Sequence, residues 1–247
     1  MKLAIVSDIH GSLRGLEAVL SDLESVGPDL VVQGGDLAMH GPRPAEVIDR
    51  IRELGWPGIL GNTDEALWQL PAGIPSFVRA AFERRAAATR ALIGSDRLDW
   101  LRTLPLEWRG EGVALVHAAP GDLWKLVGIN TSDDALRKIY GPLGEPVAVY
   151  CHIHQAYVRE LDGLTVANSG SAGAPYDGDT RLSYLVIENG RPAIRRVDYD
   201  VAAAAAELRA SRYPDAEDLA QALETATFRP PGMPRWMGRI ARLARRL

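Results

Sequence analysis

The sequence of 247 residues holds a single cysteine, Cys151. One thiol cannot close an intrachain disulfide, nor supply the several thiolates of a cysteine-rich zinc site. Also missing is any run near the roughly 18 apolar residues of a membrane span. The opening run MKLAIV meets Ser7, Asp8 and His10, and so stops short of the about 7–15 apolar residues of a secretory signal. No fixed-period repeat is visible, which sets aside solenoids and propellers. These absences predict a soluble protein of a reducing compartment, the cytoplasm, with no membrane span. The Asn130-Thr131-Ser132 sequon is then expected to be idle.

Most of the chain also lacks a basic surplus. Residues 229–247 carry six arginines and no acid, so the whole-chain charge of −4 leaves −10 on residues 1–228. General nucleic-acid binding wants a basic footprint, so the main body is an unpromising nucleic-acid partner. The tail itself reads as a short helix over 235–247, with Trp236, Ile240, Leu243 and Leu247 on one face. Docking on the acidic body is the preferred reading of that helix, ahead of a membrane-surface or partner role.

What is present is a composition able to fold unaided. Hydrophobic residues make up 47%, and Gly and Pro are ordinary at 24 and 16, which argues against disorder. We read residues 1–228 as one domain and 229–247 as a basic appendage. Residues 2–6 and 29–33 read as buried strands, and 56–60 (WPGIL) as a third. Between them lie helices, one from Leu13 to the Gly27-Pro28 stop and one from Pro44 to Leu54. Residues 75–93 and 96–103 are helical in period. Strands resume at 113–117 and 147–151, with a helix near 132–140 between them. Asp162-Gly163 and Asn189-Gly190 mark two hairpins, 157–161 with 164–167 and 182–188 with 192–198. Helices follow at 200–211 and 215–226. The order predicts an α/β fold, with a parallel half followed by a more antiparallel half.

Polar residues able to ligate a metal recur just after the predicted strands. Asp8 and His10 follow the first, Asp36 the second, Asn62 the third; His117 ends the fourth, and His152 and His154 follow the fifth. In open α/β sheets, ligands bind outside the carboxyl ends of the strands. Seven O and N donors can thus converge on one rim. Carboxylate, imidazole and amide donors suit Mn, Fe, Zn or Ni. Two carboxylates against two divalent ions and one hydroxide leave the site positive, as phosphate binding requires.

As a set, Asp8-x-His10, Gly35-Asp36, Gly61-Asn62-x-Asp64, His117 and His152-x-His154 resemble the calcineurin-like metallophosphoesterases, a small bacterial phosphodiesterase branch in particular. The resemblance runs from about residue 1 to 200. It implies a four-layer α/β/β/α sandwich of two mixed sheets flanked by helices, around a pair of divalent ions, manganese first. By that resemblance Asp8, His10, Asp36 and His154 hold one ion, and Asp36, Asn62, His117 and His152 the other. It implies hydrolysis of a phosphodiester or phosphomonoester by a metal-bridging hydroxide, on a small phosphorylated substrate. A metal-binding scaffold of the same fold and a nuclease are the alternatives.

The chain departs from the family pattern at Thr63, where histidine is common, at Cys151 in place of glycine, and at Asn168-Ser169-Gly170-Ser171. Thr63 removes a dedicated proton donor. His40 and Arg43, in the loop after Asp36, are candidates for leaving-group assistance and phosphate contact; the competing readings are an exposed loop histidine and a solvated arginine. Thr63 is a candidate substrate contact. Asp64 reads either as a residue that orients a ligand or as an acid at a helix N-terminus.

Overall fold

The structure is a computed structural model and describes residues 1–228. The expected helix at 235–247 lies outside the described residues. Among those described, no helix is long and apolar enough to cross a membrane.

β1 (Lys2–Val6) shows how the layers arise. Its side chains part alternately: Leu3 and Ile5 enter one core, Ala4 and Val6 another. A strand apolar on both faces belongs to a sheet covered on both sides. β1 pairs parallel with β2 (Leu30–Gln33). The other strands are β3 (Glu107–Gly110), β4 (Val113–Val116), β5 (Val147–Tyr150), β6 (Tyr157–Leu161), β7 (Leu164–Asn168), β8 (Leu182–Glu188) and β9 (Arg191–Val197). One sheet runs β2-β1-β8-β9 and the other β3-β4-β5-β7-β6. Leu3, Ile5, Val32 and Leu185 of the first sheet meet Val113, Leu115, Val147 and Val149 of the second, which makes the inter-sheet core.

The helices are α1 (Leu13–Val26), α2 (Pro44–Leu54), the single turn α3 (Asn62–Glu65), α4 (Ser76–Leu101), α5 (Asp133–Tyr140), α6 (Val201–Ala210) and α7 (Ala216–Thr225). Leu16, Val19, Val47, Ile48 and Phe82, from α1, α2 and α4, cover the outer face of the first sheet at Ala4, Val6 and Tyr184. Leu136 and Tyr140 of α5 cover the second sheet at Ala114, Val116, Ala148 and Tyr150. The result is the expected four-layer sandwich. Local chemistry sets the helix limits. Ser12 caps α1 through the Gly15 amide, and Gly27 ends it at φ 59°. Pro44 opens α2 at a position where a missing N–H costs nothing. α6 and α7 pack on each other through Ala204, Ala205, Leu208, Ala220 and Leu223.

Three expectations need correction. Residues 56–60 form no strand: Gly58 makes one isolated bridge to Gln33, because Pro57 has no N–H to continue a ladder. The chain does not divide into a parallel and an antiparallel half. β8 returns antiparallel to the free edge of β1, while β4, β5 and β7 run parallel, so each sheet is mixed. β3 was not expected, since an edge strand of sequence EWRG, with no buried position, shows no apolar alternation. The two helices expected at 75–93 and 96–103 are both present: they make up α4 and meet at the non-helical Gly94, with φ 71° and ψ 179°.

Candidate metal centre

The carboxyl ends of β1, β2, β4 and β5 point to one rim, and the candidate ligands follow them there. Asp8 and His10 follow β1, Asp36 follows β2, His117 follows β4, and His152 and His154 follow β5. Asn62 opens α3, directly after the Gly58 bridge segment. Backbone bonds tie these loops together: the Asp8 amide donates to Gly35 O at 3.0 Å, and the His10 amide to Asp36 O at 2.9 Å. The Cys151 amide donates to His117 O at 2.9 Å. Five of the seven candidates sit in the left-handed region, namely Asp8 (φ 53°), His10 (52°), Asp36 (56°), His152 (68°) and His154 (55°). Each such residue costs about 1–2 kcal/mol. Strain of this kind persists only where the surroundings over-determine it, and it clusters at functional sites.

The donor atoms of Asp8, His10, Asp36 and His154 lie within 4.8 Å of one another, and all four residues are buried. Their arrangement fits a cation. The Nδ1 atoms of His10 and His154 face the carbonyls of Met39 (2.8 Å) and Ala174 (2.5 Å). A carbonyl needs a donor, so Nδ1 carries the proton in each neutral ring and Nε2 is left bare. Yet the two Nε2 atoms face each other at 3.1 Å. Lone pairs at that distance repel unless a positive charge lies between them. Asp8 Oδ1, buried and without a hydrogen-bond partner among the described residues, adds a third bare donor to the same point.

The other half repeats the pattern. His117 Nδ1 faces Gly34 O at 2.8 Å, so its bare Nε2 meets Asn62 Oδ1 at 2.9 Å and Asp36 Oδ2 at 3.4 Å. His152 Nδ1 lies 2.8 Å from the same amide oxygen. Asp36 stands between the halves, with Oδ2 also 3.6 Å from His10 Nε2. In the metal-free chain, protons take up the excess of lone pairs. Burial opposes charge on His117, but Asp36 and Asp8 outweigh it and push the ring up to about 9. Burial also opposes charge on Asp36, and His117, His10 and His152 outweigh it, holding the carboxylate well below its usual range. Burial and the His117 charge push His152 down to about 4.

Around the ligands stands a layer that fixes their orientation. Ser7 Oγ donates to Asp8 Oδ2 at 2.6 Å. The Thr63 amide donates to Asp36 Oδ1 at 2.8 Å, while Thr63 Oγ1 is buried with no partner among the described residues. Asp64 accepts from the amides of Leu37 and Ala38, so it braces the loop behind Asp36; burial and the Asp36 charge raise it to about 7. Ser171 Oγ donates to Asp8 O, and Asn168 Nδ2 to Cys151 O. Cys151 is buried, and burial pushes its thiol up.

His40 is no exposed loop residue. Its ring stacks on His10 with centroids 5.2 Å apart and meets Phe82 edge-on, and its amide donates to Tyr213 Oη. Burial and the nearby Arg85 charge hold it neutral, well below the usual histidine range. Arg43 is placed otherwise. It is exposed, and its guanidinium pairs with Glu46 at 3.0 Å and Glu207 at 3.8 Å. The buried arginine beside the centre is Arg85 of α4, whose Nη1 lies 3.5 Å from His40 Nδ1. The sequence reading missed it. The signal was present: Val78, Phe82, Arg85, Thr89 and Ile93 fall at helical spacing, which puts a charge on an apolar face.

Residues 1–190 match the calcineurin-like phosphoesterase superfamily domain, whose members hydrolyse phosphoric esters with divalent metals. An uncharacterised protein of Methanocaldococcus jannaschii is 28% identical over 237 residues, covering 86% of this chain and 94% of its own. Among solved structures, a metallophosphoesterase from Sphaerobacter thermophilus is 25% identical with a TM-score of 0.75, covering 92% of this chain and 99% of its own. A hypothetical protein of Pyrococcus horikoshii shares the fold at a TM-score of 0.81 and 16% identity, with the same coverage. A match over residues 1–190, which span all seven rim residues, places this chain in the calcineurin-like phosphoesterase superfamily.

Proposed function

We propose that the chain is a dinuclear, divalent-metal-dependent phosphoesterase acting on a small phosphodiester or phosphomonoester. The observation that carries this reading is the set of bare imidazole nitrogens and carboxylate oxygens facing one another on either side of Asp36. Asp8, His10, Asp36 and His154 would hold one ion, and Asp36, Asn62, His117 and His152 the other, with Asp36 shared. Manganese is our choice of ion; iron, nickel and zinc are compatible with the same donors. Two such ions would supply an acidified water and positive charge for the phosphoryl oxygens.

The chain's own residues set the rest. Asn62 is neutral, so only two carboxylates offset the ions, and the rim stays positive toward a phosphate. The Thr63 amide holds Asp36 at one oxygen, which leaves the other to both halves. His40, kept neutral, can help a leaving group by hydrogen-bond donation. Thr63 Oγ1, buried and unpartnered among the described residues, can donate to a substrate oxygen. Neither is a strong acid, so the favoured substrates have good leaving groups, such as aryl esters and phosphoanhydrides. We read residues 1–228 as the single domain that does this, 229–247 as a basic appendage, the cytoplasm as the location and nucleic acid as a poor substrate.

The test uses metal-stripped protein reloaded with Mn²⁺ and given bis-p-nitrophenyl phosphate beside p-nitrophenyl phosphate. Turnover restored by metal is expected, and its diester-to-monoester ratio assigns the ester class. Bound metal without turnover on either ester would turn the reading to a scaffold. Thr63→His is expected to raise turnover on alkyl phosphates, with poor leaving groups, by about 10²-fold, the lower end of general-acid contributions, and to change p-nitrophenyl esters little. An equal gain on both would show that leaving-group departure is not what Thr63 limits.

A further inference from the structure

Arg85 is the charged group beside the centre that the proposed chemistry leaves unused. It is 4% exposed, on the apolar face of α4. Its Nε donates to Asp215 Oδ2 at 2.9 Å, and its Nη1 reaches the ring of His40. That ring stacks on His10. Tyr176 lies flat on the other ligand imidazole, His154, with centroids 4.4 Å apart and planes 3° from parallel. The guanidinium thus stands one ring beyond the candidate ligand His10.

Its counter-ion is shared. Arg84 Nη2 lies 3.4 Å from the other oxygen of Asp215, so two guanidinium groups share one carboxylate. Asp215 also gives up an ordinary role. It precedes α7 at the N-cap position, yet it adopts φ 59°, ψ 26° and makes no capping bond. Aspartate is a preferred capping residue, and the left-handed region is unfavourable for it. Its carboxylate is turned instead to the arginines. A buried cation that shares its carboxylate with a second arginine has charge to spare for an incoming anion. Guanidinium is the side chain suited to a two-pronged grip on phosphate or carboxylate.

We propose that Arg85 is a substrate-binding residue for a second acidic group adjoining the scissile phosphoryl. Its substrates are then phosphoanhydrides, or phosphate esters with a neighbouring acid. This inference rests on the esterase reading for the term "scissile". Its test is binding, which turnover does not enter.

Calorimetric titration of Mn²⁺-loaded protein with phosphonoacetate and with methylphosphonate compares ligands that differ by one carboxylate. Wild type is expected to prefer phosphonoacetate by about tenfold or more, the worth of one charge-assisted contact. Arg85→Met should bring the ratio near one while methylphosphonate binds as before. Arg85→Lys should keep part of the preference, and Asp215→Asn should lower it as the guanidinium loses its anchor. A ratio unchanged in Arg85→Met, or an equal loss for both ligands, would overturn the proposal. If Arg85→Met does not fold, an unchanged ratio in both Arg85→Lys and Asp215→Asn overturns it. An intact ratio in a protein with no turnover on any ester would defeat the esterase reading and leave the anion site standing.

Discussion

Asp36→Asn is expected to reduce metal-dependent phosphoester turnover by about 10³-fold or more, since even outer partners of a metal site cost 10–100-fold. Asp36 is the side chain common to both halves of the centre. Its Oδ2 lies 3.6 Å from His10 Nε2 and 3.4 Å from His117 Nε2, and its Oδ1 accepts the Thr63 amide. Asparagine keeps the shape and the hydrogen bond from Thr63. It removes the negative charge and puts an amide in place of one oxygen. One of only two carboxylates in the set is then gone, and no side chain links the halves. Circular dichroism should be unchanged, because the residue's packing is unchanged. Loss of turnover with an intact fold is the expected pair of results; turnover within tenfold of wild type would remove Asp36 from the machinery.

A glycine gives the second large effect. Gly61 has φ −99° and ψ 164°, which any residue adopts. A Cβ there would nonetheless lie 2.1 Å from both the amide nitrogen and Oδ1 of Asp36. Gly61→Ala therefore acts by crowding alone. Two loops must separate, and they are the loops that present Asp36 and Asn62. A displacement near 1 Å costs about 10²-fold in rate, and overpacking costs about 1–3 kcal/mol. Gly55→Ala is the control. It sits at φ 63°, at the end of α2, with nothing among the described residues within 4 Å of a new Cβ. That variant should lose about 1–2 kcal/mol of stability and keep full turnover. Equal turnover in the two variants would mean that the Gly61 contact does not govern the site.

The contrast between these two glycines shows where sequence reading works and where it stops. Most of the buried strands, the helix limits and both hairpin turns are written in local chemistry; the exception is 56–60, where Pro57 prevents a ladder. Asn189 and Gly190, for example, both take positive φ, as a two-residue turn of their type requires. Six of the seven rim residues were legible for a different reason: parallel strands deliver their C-terminal loops to one edge, so position after a strand stands for position in space, while Asn62 follows only an isolated bridge. What was not legible depends on contacts between distant segments. The left-handed backbone at Asp8, His10, Asp36, His152 and His154 is imposed by bonds between loops, and no local preference announces it. The pairing of β8 with β1 spans most of the chain. His40 stayed open between a site residue and an exposed loop residue, because Phe82 and Tyr213, which cover it, come from α4 and from the segment before α7. Arg43, three residues further on, turns to surface carboxylates, and Arg85 takes the buried place.

In the proposed function the rim holds two divalent ions and uses them on phosphoesters. The most direct test is to titrate stripped protein with Mn²⁺ and follow bis-p-nitrophenyl phosphate hydrolysis against bound metal. No turnover is expected without metal, and the rise should level off at two equivalents per chain. Turnover that is present in stripped protein and indifferent to added metal would contradict the proposed function.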